Sequence, residues 1–459
     1  MMKRHFQNFL VIFINLILMS SAFATNGYFS HGTGIKNRAL AGAGVAFPQD
    51  AMAGATNPAG MAFIGNRFDV GTVFFSPDRD YESSSSMANG FGGAFTVGPD
   101  SETSGDTFFL IPSFGINKMI SDKTAIGFSV YGNGGLNTTW SGGSASFDPD
   151  GPGPAPAGST FPGVFGAGTA GVDLFQIFFN LSLAHKFTED FSVGISPIVA
   201  IQGFRANGLD AFAGFTKTFA ESGGMALPDH LSGNGQDYSM GGGVQVGALL
   251  KNVGNFIDFG ASYRSKIYMD EFDDYSDLFA EDGDFDVPPT MWLGFAAHLT
   301  DSLTMVFDFQ RIWYEDVDAV SNDVQNLFAC PTAGAGGTDL ESCLGGDNGG
   351  GFGWRDIDVF KLGLQWEYNK QNIFRFGYSH SDQPIPDDQT LFNILAPGVI
   401  EDHVTAGYTH IFNDNSELSI EVMHALKESV EGASAFDPTQ TIEIEMQQFE
   451  AGISWSKKF

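Results

Sequence analysis

Phe360-Lys361-Leu362-Gly363-Leu364-Gln365-Trp366-Glu367-Tyr368 and, after a tight link at Lys370, Phe374-Arg375-Phe376-Gly377-Tyr378-Ser379 decide the fold. In both, large apolar side chains alternate with polar or small ones, the period of two of a β-strand. One face is suited to hydrocarbon and the other to a wet or ligand-lined interior, the pattern of a transmembrane barrel strand.

Outward from this pair the pattern recurs. Fourteen alternating segments are read, at about 67–82, 107–119, 123–140, 172–188, 190–206, 238–252, 255–271, 286–300, 302–315, 355–369, 371–383, 400–412, 415–428 and 441–459. Tight links such as Ser121-Asp122, Asp301 and Asn413-Asp414 alternate with long connections, among them 141–171, 207–237 and 316–354. That segregation of short turns from long loops predicts an all-β, 14-stranded antiparallel outer-membrane barrel with its short turns in the periplasm. In the last strand Phe449, Ala451, Ile453 and Trp455 share one face, whereas Ile442, Ile444 and Met446 have the opposite parity. This slip predicts a bulge near Gln447-Gln448, or an upper half that protrudes beyond the bilayer.

The start of the chain agrees. Lys3 and Arg4, the apolar run Phe9 to Met19 and Ala22-Phe23-Ala24 read as a cleaved export signal, residues 1–24. Gly (59) and Phe (46) are abundant and charged residues make up only 17 %, as lipid-facing strands require. A formal charge of −32 excludes nucleic acid as a partner, since phosphates would be repelled. The acidic run Asp270, Glu271, Asp273, Asp274, Asp277, Glu281, Asp282, Asp284 and Asp286 lacks the spacing of a calcium loop and reads as a solvated outer loop. Cys330 and Cys343, isolated from other metal-ligating residues, are expected to form a loop-closing disulfide rather than a metal site.

No catalytic or cofactor motif survives inspection. Gly-x-Ser-x-Gly and His-Glu-x-x-His are absent, and Gly166-Ala167-Gly168-Thr169-Ala170-Gly171 precedes a strand instead of opening a helix. No cofactor is expected and no enzymatic activity. Residues 25–66 show no strand alternation, and a barrel of this size has a lumen wider than its own side chains fill. They are therefore expected to form a plug ahead of the barrel at 67–459. Within them Asn57-Pro58-Ala59 reads as a fixed turn, because Pro58 sets its own φ and restricts Asn57.

Several segments, taken in order, resemble the FadL/TodX family of outer-membrane transporters. They are Gly32-Thr33-Gly34-Ile35-Lys36-Asn37-Arg38-Ala39-Leu40-Ala41-Gly42-Ala43-Gly44, Asn57-Pro58-Ala59-Gly60-Met61, Ile111-Pro112-Ser113-Phe114-Gly115, Tyr131-Gly132-Asn133-Gly134-Gly135-Leu136 and Phe374 to Asp387. The resemblance implies a barrel plugged by an N-terminal hatch that imports hydrophobic compounds such as long-chain fatty acids or aromatic hydrocarbons without an energy source. It also implies an inner pocket at Asn26, Gly27, Tyr28 and Phe29, a hatch turn at Asn57, Pro58 and Ala59, and lateral exit through a kink of the third strand at Gly132, Asn133, Gly134 and Gly135.

By position, Phe212, Phe215, Phe219 and Leu227 are expected to line an outer groove, the three phenylalanines on one face of a short helix. Arg264, Lys361 and Arg375 are candidates to meet a ligand carboxylate, with lumen ion pairs to Glu367 or Asp residues as the competing reading. Expected partners are hydrophobic small molecules, outer-membrane lipid and lipopolysaccharide, and the barrel-assembly machinery at the C-terminal strand, for a monomer. A structural or adhesive surface barrel is the alternative, and hatch deletion would leave its role intact.

Overall fold

The computed structural model describes residues 26–148, 159–331 and 337–459, so the expected export signal 1–24 lies outside it. Among the described residues no helix is long and apolar enough to cross a membrane. Fourteen long strands organise the chain instead. They are β1 (Arg67–Ser83), β2 (Phe109–Met119), β3 (Thr124–Trp140), β4 (Ala170–Lys186) and β5 (Phe191–Asn207). Next come β6 (Asp237–Val253), β7 (Ile257–Arg264), β8 (Thr290–Thr300), β9 (Leu303–Ile312) and β10 (Ile357–Asn369). The last are β11 (Asn372–Ser381), β12 (Asp402–Ile411), β13 (Ser416–Ser434) and β14 (Asp437–Lys458). Each pairs antiparallel with the next, and β14 returns to β1 from Arg67 opposite Lys458 to Ser83 opposite Ile442. Closure satisfies the edges that an open sheet would leave unpaired.

The alternation of the sequence is the alternation of the wall. Phe360, Trp366 and Phe376 are 48, 42 and 51 % exposed, whereas Lys361 and Arg375 between them are 2 % exposed. Such an apolar exterior suits hydrocarbon and not water. At the short-turn end Trp366, Tyr368, Phe374 and Tyr408 pack ring against ring, as do Phe68, Trp455 and Phe459, the aromatic girdle of a barrel rim.

The N-terminal segment to Asn66 fills the lumen. Its helices α1 (Ile35–Arg38) and α2 (Ala53–Thr56) are single turns, followed by a 3-10 turn at Pro58–Phe63. Glycines on the wall let its backbone approach. A Cβ at Gly194 would strike the backbone of Pro58 and Ala59, and one at Gly377 the backbone at Leu40-Ala41. Buried ion pairs then anchor it: Arg38 to Glu450 at 2.7 Å, and Lys36 to Glu417, which also meets Arg67 at 3.2 Å. Asp308 Oδ2 accepts from the amides of Gly44 and Val45 at 2.7 and 2.8 Å. Removing one partner would strand a buried charge, so these contacts hold the hatch in register.

Two strand readings change. The expected strand 255–271 ends at Arg264; beyond it Tyr268-Met269 pair with Gly241-Gly242 of β6, and Ile267 bridges Val287. The expected bulge at Gln447-Gln448 is absent: β14 pairs with β1 without a register shift, and the bulge sits on β13 between Ala425 and Glu428. Ile442, Ile444 and Met446 keep the lumen parity and join the core beneath the loops, while Glu443 and Glu445 turn outward. Outward glutamates cannot face hydrocarbon, so this half of the hairpin reaches past the apolar belt.

Candidate functional site

Beneath the long loops lies an apolar cavity of about 40 Å³, lined by Phe204, Phe212, Phe279, Leu344, Phe352 and Phe392 among others and by no charged residue. This is water-sized space, so a larger ligand must part the side chains around it. Phe212 is its roof, with ring contacts to Phe95, Phe165 and Phe392 at 5.1, 5.5 and 5.1 Å. Phe215 packs on Phe436 just outside, and Phe219 and Leu227 do not line it; Leu227 is 71 % exposed. The expected single helix is two turns broken at Thr216, which is extended and caps Lys217–Glu221 by accepting from Phe219 N. The acidic loop nevertheless contributes Leu278 and Phe279, its apolar residues facing in.

The same loops are stapled. Cys330 and Cys343 form a disulfide, and Leu344 beside it exchanges backbone hydrogen bonds with Phe215 and Lys217.

From the cavity a chain of rings descends: Phe204 to Phe279 at 4.7 Å, Phe279 to Phe285 at 4.9 Å and Phe285 to Tyr28 at 6.1 Å. Tyr28 also meets Tyr314 and Trp354 at 5.3 and 5.8 Å, and Phe29 meets Tyr314 at 5.7 Å. Gly27 makes this cluster possible. Its φ is +61°, and a Cβ there would sit 2.6 Å from the Tyr314 hydroxyl and 2.8 Å from Trp354. Asn26 is buried beside it, its backbone oxygen accepting from the Tyr314 hydroxyl at 2.5 Å. Burial pushes the Tyr28 hydroxyl far above its ordinary range, so it stays protonated within the cluster.

The wall changes partner at this height. The ladder between β2 and β3 runs from Met119 opposite Ala125 to Phe114 opposite Val130 and ends there. β2 continues along β1 to Phe109, and β3 continues along β4 to Trp140, with a register shift between Gly132 and Gly134. The edge of β3 beyond Val130 is taken by the N-terminal segment: Ser30 N donates to Asn133 O at 2.9 Å, and Gly135 N to Tyr28 O at 3.0 Å. Behind the parted strands lies a space of about 10 Å³, lined by Val73, Ile111, Ser113, Tyr131 and Gly132 and closed by hatch residues Thr33 to Ile35 and Arg38.

Below Phe29 a polar chamber of about 40 Å³ holds His31, Tyr131, Asn133, Arg264, Gln310 and Lys361. Arg264 donates to Asn133 Oδ1 at 2.7 Å and Thr290 Oγ1 at 3.2 Å, and lies over the rings of Phe29, Phe178 and Trp292 at 4.9, 5.1 and 5.7 Å. Among the described residues it has no carboxylate within ion-pair distance. Lys361 reaches the same chamber but donates to His31 O at 2.8 Å. Arg375 is elsewhere, bound to Gln49 Oε1 and Thr409 Oγ1 at 2.9 and 2.7 Å. Neither pairs with Glu367, which keeps the lumen parity but lies exposed at the short-turn end, where it accepts from Gln365 Nε2 at 3.4 Å. His31 stacks on His403 at 5.7 Å, and burial, then Arg38, His403 and Lys361, press its pKa well below the usual range.

The turn at Asn57 anchors the opposite side of the hatch. Its Oδ1 accepts from Ala59 N at 3.1 Å, and its Nδ2 donates to Val45 O and to Ala248 O of β6 at 2.8 and 3.0 Å. Gly247 leaves the space that the Asn57 side chain occupies.

Phe285, Tyr314, Trp354 and Pro112 escape sequence reasoning. Phe285 and Trp354 lie in loops without periodicity, and Tyr314 falls in the expected strand 302–315, which ends instead at Ile312. For Pro112 the signal exists, since a proline inside a strand pattern marks an edge. One catalytic-looking pair, Ser379 Oγ and His403 Nδ1 at 3.2 Å, is buried under the hatch, and His403 Nε2 meets no carboxylate among the described residues.

The model of one family matches residues 11–151 and 157–448, and its description is outer membrane protein transport protein (OMPP1/FadL/TodX). No curated protein matches the chain. Among solved structures it is similar to the Pseudomonas putida toluene transporter TodX, at 16 % identity and TM-score 0.61, covering 94 % of this chain and 99 % of that one. The Ralstonia pickettii toluene transporter TbuX gives 16 %, 0.57, 94 % and 99 %. A Pseudomonas aeruginosa FadL homologue gives 16 %, 0.61, 94 % and 98 %. At these identities the likeness is one of fold.

Proposed function

We propose that this chain, which belongs to the OMPP1/FadL/TodX family of outer-membrane transport proteins, takes up long-chain fatty acids or related hydrophobic compounds passively, releasing them sideways into the membrane. The observation that carries the reading is the parting of β2 from β3 at Phe114–Val130, with Tyr28 to Ser30 occupying the edge so exposed. A solute enters among Phe212, Phe279 and Phe392, displaces the Tyr28–Phe29 cluster and leaves past Tyr131. Each stage keeps it among apolar groups. Release straight into the periplasm would instead cost about 25 cal/mol for every Å² of apolar surface returned to water.

Movement is confined to the tip of the hatch. Residues 26 to 34 are held by backbone hydrogen bonds, ring contacts and single side-chain bonds such as those from Tyr314 to Asn26 O and Lys361 to His31 O. Lys36 and Arg38, in contrast, are locked by buried ion pairs, and the Asn57 turn by its bond to β6. Arg264 favours a solute with an anionic head, because a buried guanidinium without a carboxylate gains most from acquiring one. A second reading, aromatic hydrocarbons, is supported by the names of the toluene transporters TodX and TbuX and by the three rings around Arg264. Uptake of radiolabelled oleate and toluene by a transporter-deficient strain expressing this chain decides between them. Failure with both removes the uptake reading.

A further inference from the structure

Four prolines stand inside barrel strands; Pro438 lies at the tip of the β13–β14 hairpin, and each of the other three marks a place where pairing is regular on one side and missing on the other. Pro77 lies opposite Gln448 in the unbroken β1–β14 ladder, two residues past the last β1–β2 pair, Phe75 with Phe109. Pro197 lies opposite Val244 on β6, but on its other flank the β4–β5 ladder skips from Asn180–Ile198 to Leu183–Ile195. Pro112 lies opposite Thr72, with Ser113 and Ile111 paired to β1 on either side, and has no partner on β3. A proline has no N–H, and its ring occupies the space a donor would use, so it is tolerated only when turned from a paired neighbour. The Pro112 ring therefore points at the opening.

The register sharpens this. Continuing the β2–β3 ladder beyond Phe114–Val130 would set Pro112 opposite Gly132, where the β3–β4 register begins to shift. At Pro197 the flanking strands rejoin past the proline. Beyond Pro112 they do not, because the edge of β3 is held from inside by Tyr28 and Ser30. When these residues move aside for a solute, β3 is released, and β2 could recapture it and seal the wall. We propose that Pro112 is a positioning residue that prevents this: it denies β2 the donor needed to zip onto β3, so the lateral opening persists while the hatch tip is displaced. The inference rests on the lateral-exit reading above.

The test compares Pro112→Val and Pro112→Ala, which restore the N–H, with Pro197→Val as a control in a wall segment away from the opening. Oleate uptake by cells, oleate binding by purified protein and amide exchange of peptides covering 109–114 and 130–135 are measured. Restored donors should slow exchange in both peptides and lower maximal uptake about fivefold or more while leaving binding within about twofold. Pro197→Val should take up oleate at the wild-type rate. Unchanged uptake and exchange in both Pro112 variants would overturn the proposal. So would loss of the heat-modifiable barrel in both, which would make Pro112 a folding requirement. If wild type takes up neither oleate nor toluene, the uptake reading fails, and the exchange measurement still judges Pro112.

Discussion

Arg264 keeps its charge among three rings and the neutral oxygens of Asn133, Thr290 and Tyr131, where a guanidinium cannot give up its proton. Arg264→Met should therefore weaken oleate more than toluene, raising the half-saturating oleate concentration about tenfold, or ~1.4 kcal/mol. Equal effects on both solutes would assign Arg264 to the wall alone. Asn57→Ala removes the donation that ties the hatch to β6 at Ala248 O, together with a donation to Val45 O and an acceptance from Ala59 N within the hatch. A loss of about 1–2 kcal/mol of hatch stability is expected, seen as faster proteolysis of the N-terminal segment with the barrel intact. Asp50 titrates within the hatch. Burial and then Asp69 raise its carboxyl to about 6, against Lys36 and Arg67. A raised carboxyl pKa stabilises the folded form below the ordinary value near 4, and that contribution is lost as pH rises through about 6. Asp50→Asn should flatten this fall in thermal stability between pH 4 and pH 6; an unchanged profile would assign the titration to another group. At this scale the sequence was legible where backbone chemistry is local, as in Asn57-Pro58-Ala59. It was not legible for Arg264, Lys361 and Arg375, three inward strand cations whose different fates depend on which hatch atoms lie opposite.

β3 shows how an element acquires a role that its own residues only permit. Gly132 and Gly134 flank the register shift in β3, and the N-terminal segment takes the edge there through Tyr28 O and Ser30 N. A Cβ at Gly134 would collide with the Tyr28 carbonyl. Gly134→Val should thus dislodge the gate and raise basal entry of a neutral hydrophobic dye, rather than seal the wall by favouring straight strand; slower entry would reverse this assignment. The strands themselves were readable from alternation because each buries one face and leaves the other to lipid. The loops were not. Phe212, Phe215 and Phe219 have helical spacing, yet Thr216 ends one turn and caps the next, a choice made by packing against Leu344 of a distant loop.

The described residues form a closed wall around a plug, with an apolar cavity above, an aromatic barrier in the middle and, beside it, the parting of β2 from β3. Closure and charge anchoring make loss of the entire hatch costly, since Lys36, Arg38 and Asp308 would all surrender buried partners. Displacement of residues 26 to 34 alone leaves those partners in place. The sideways route is tested most directly by supplying cells with a photoreactive fatty acid, irradiating during uptake and mapping the adducts by mass spectrometry. The account predicts adducts on Tyr28 or Phe29, on Tyr131, and on the parted edge at Ile111 to Phe114. Adducts on Phe47, Phe63 and Ile64 of the lower hatch, with none on the β2–β3 edge, would contradict it.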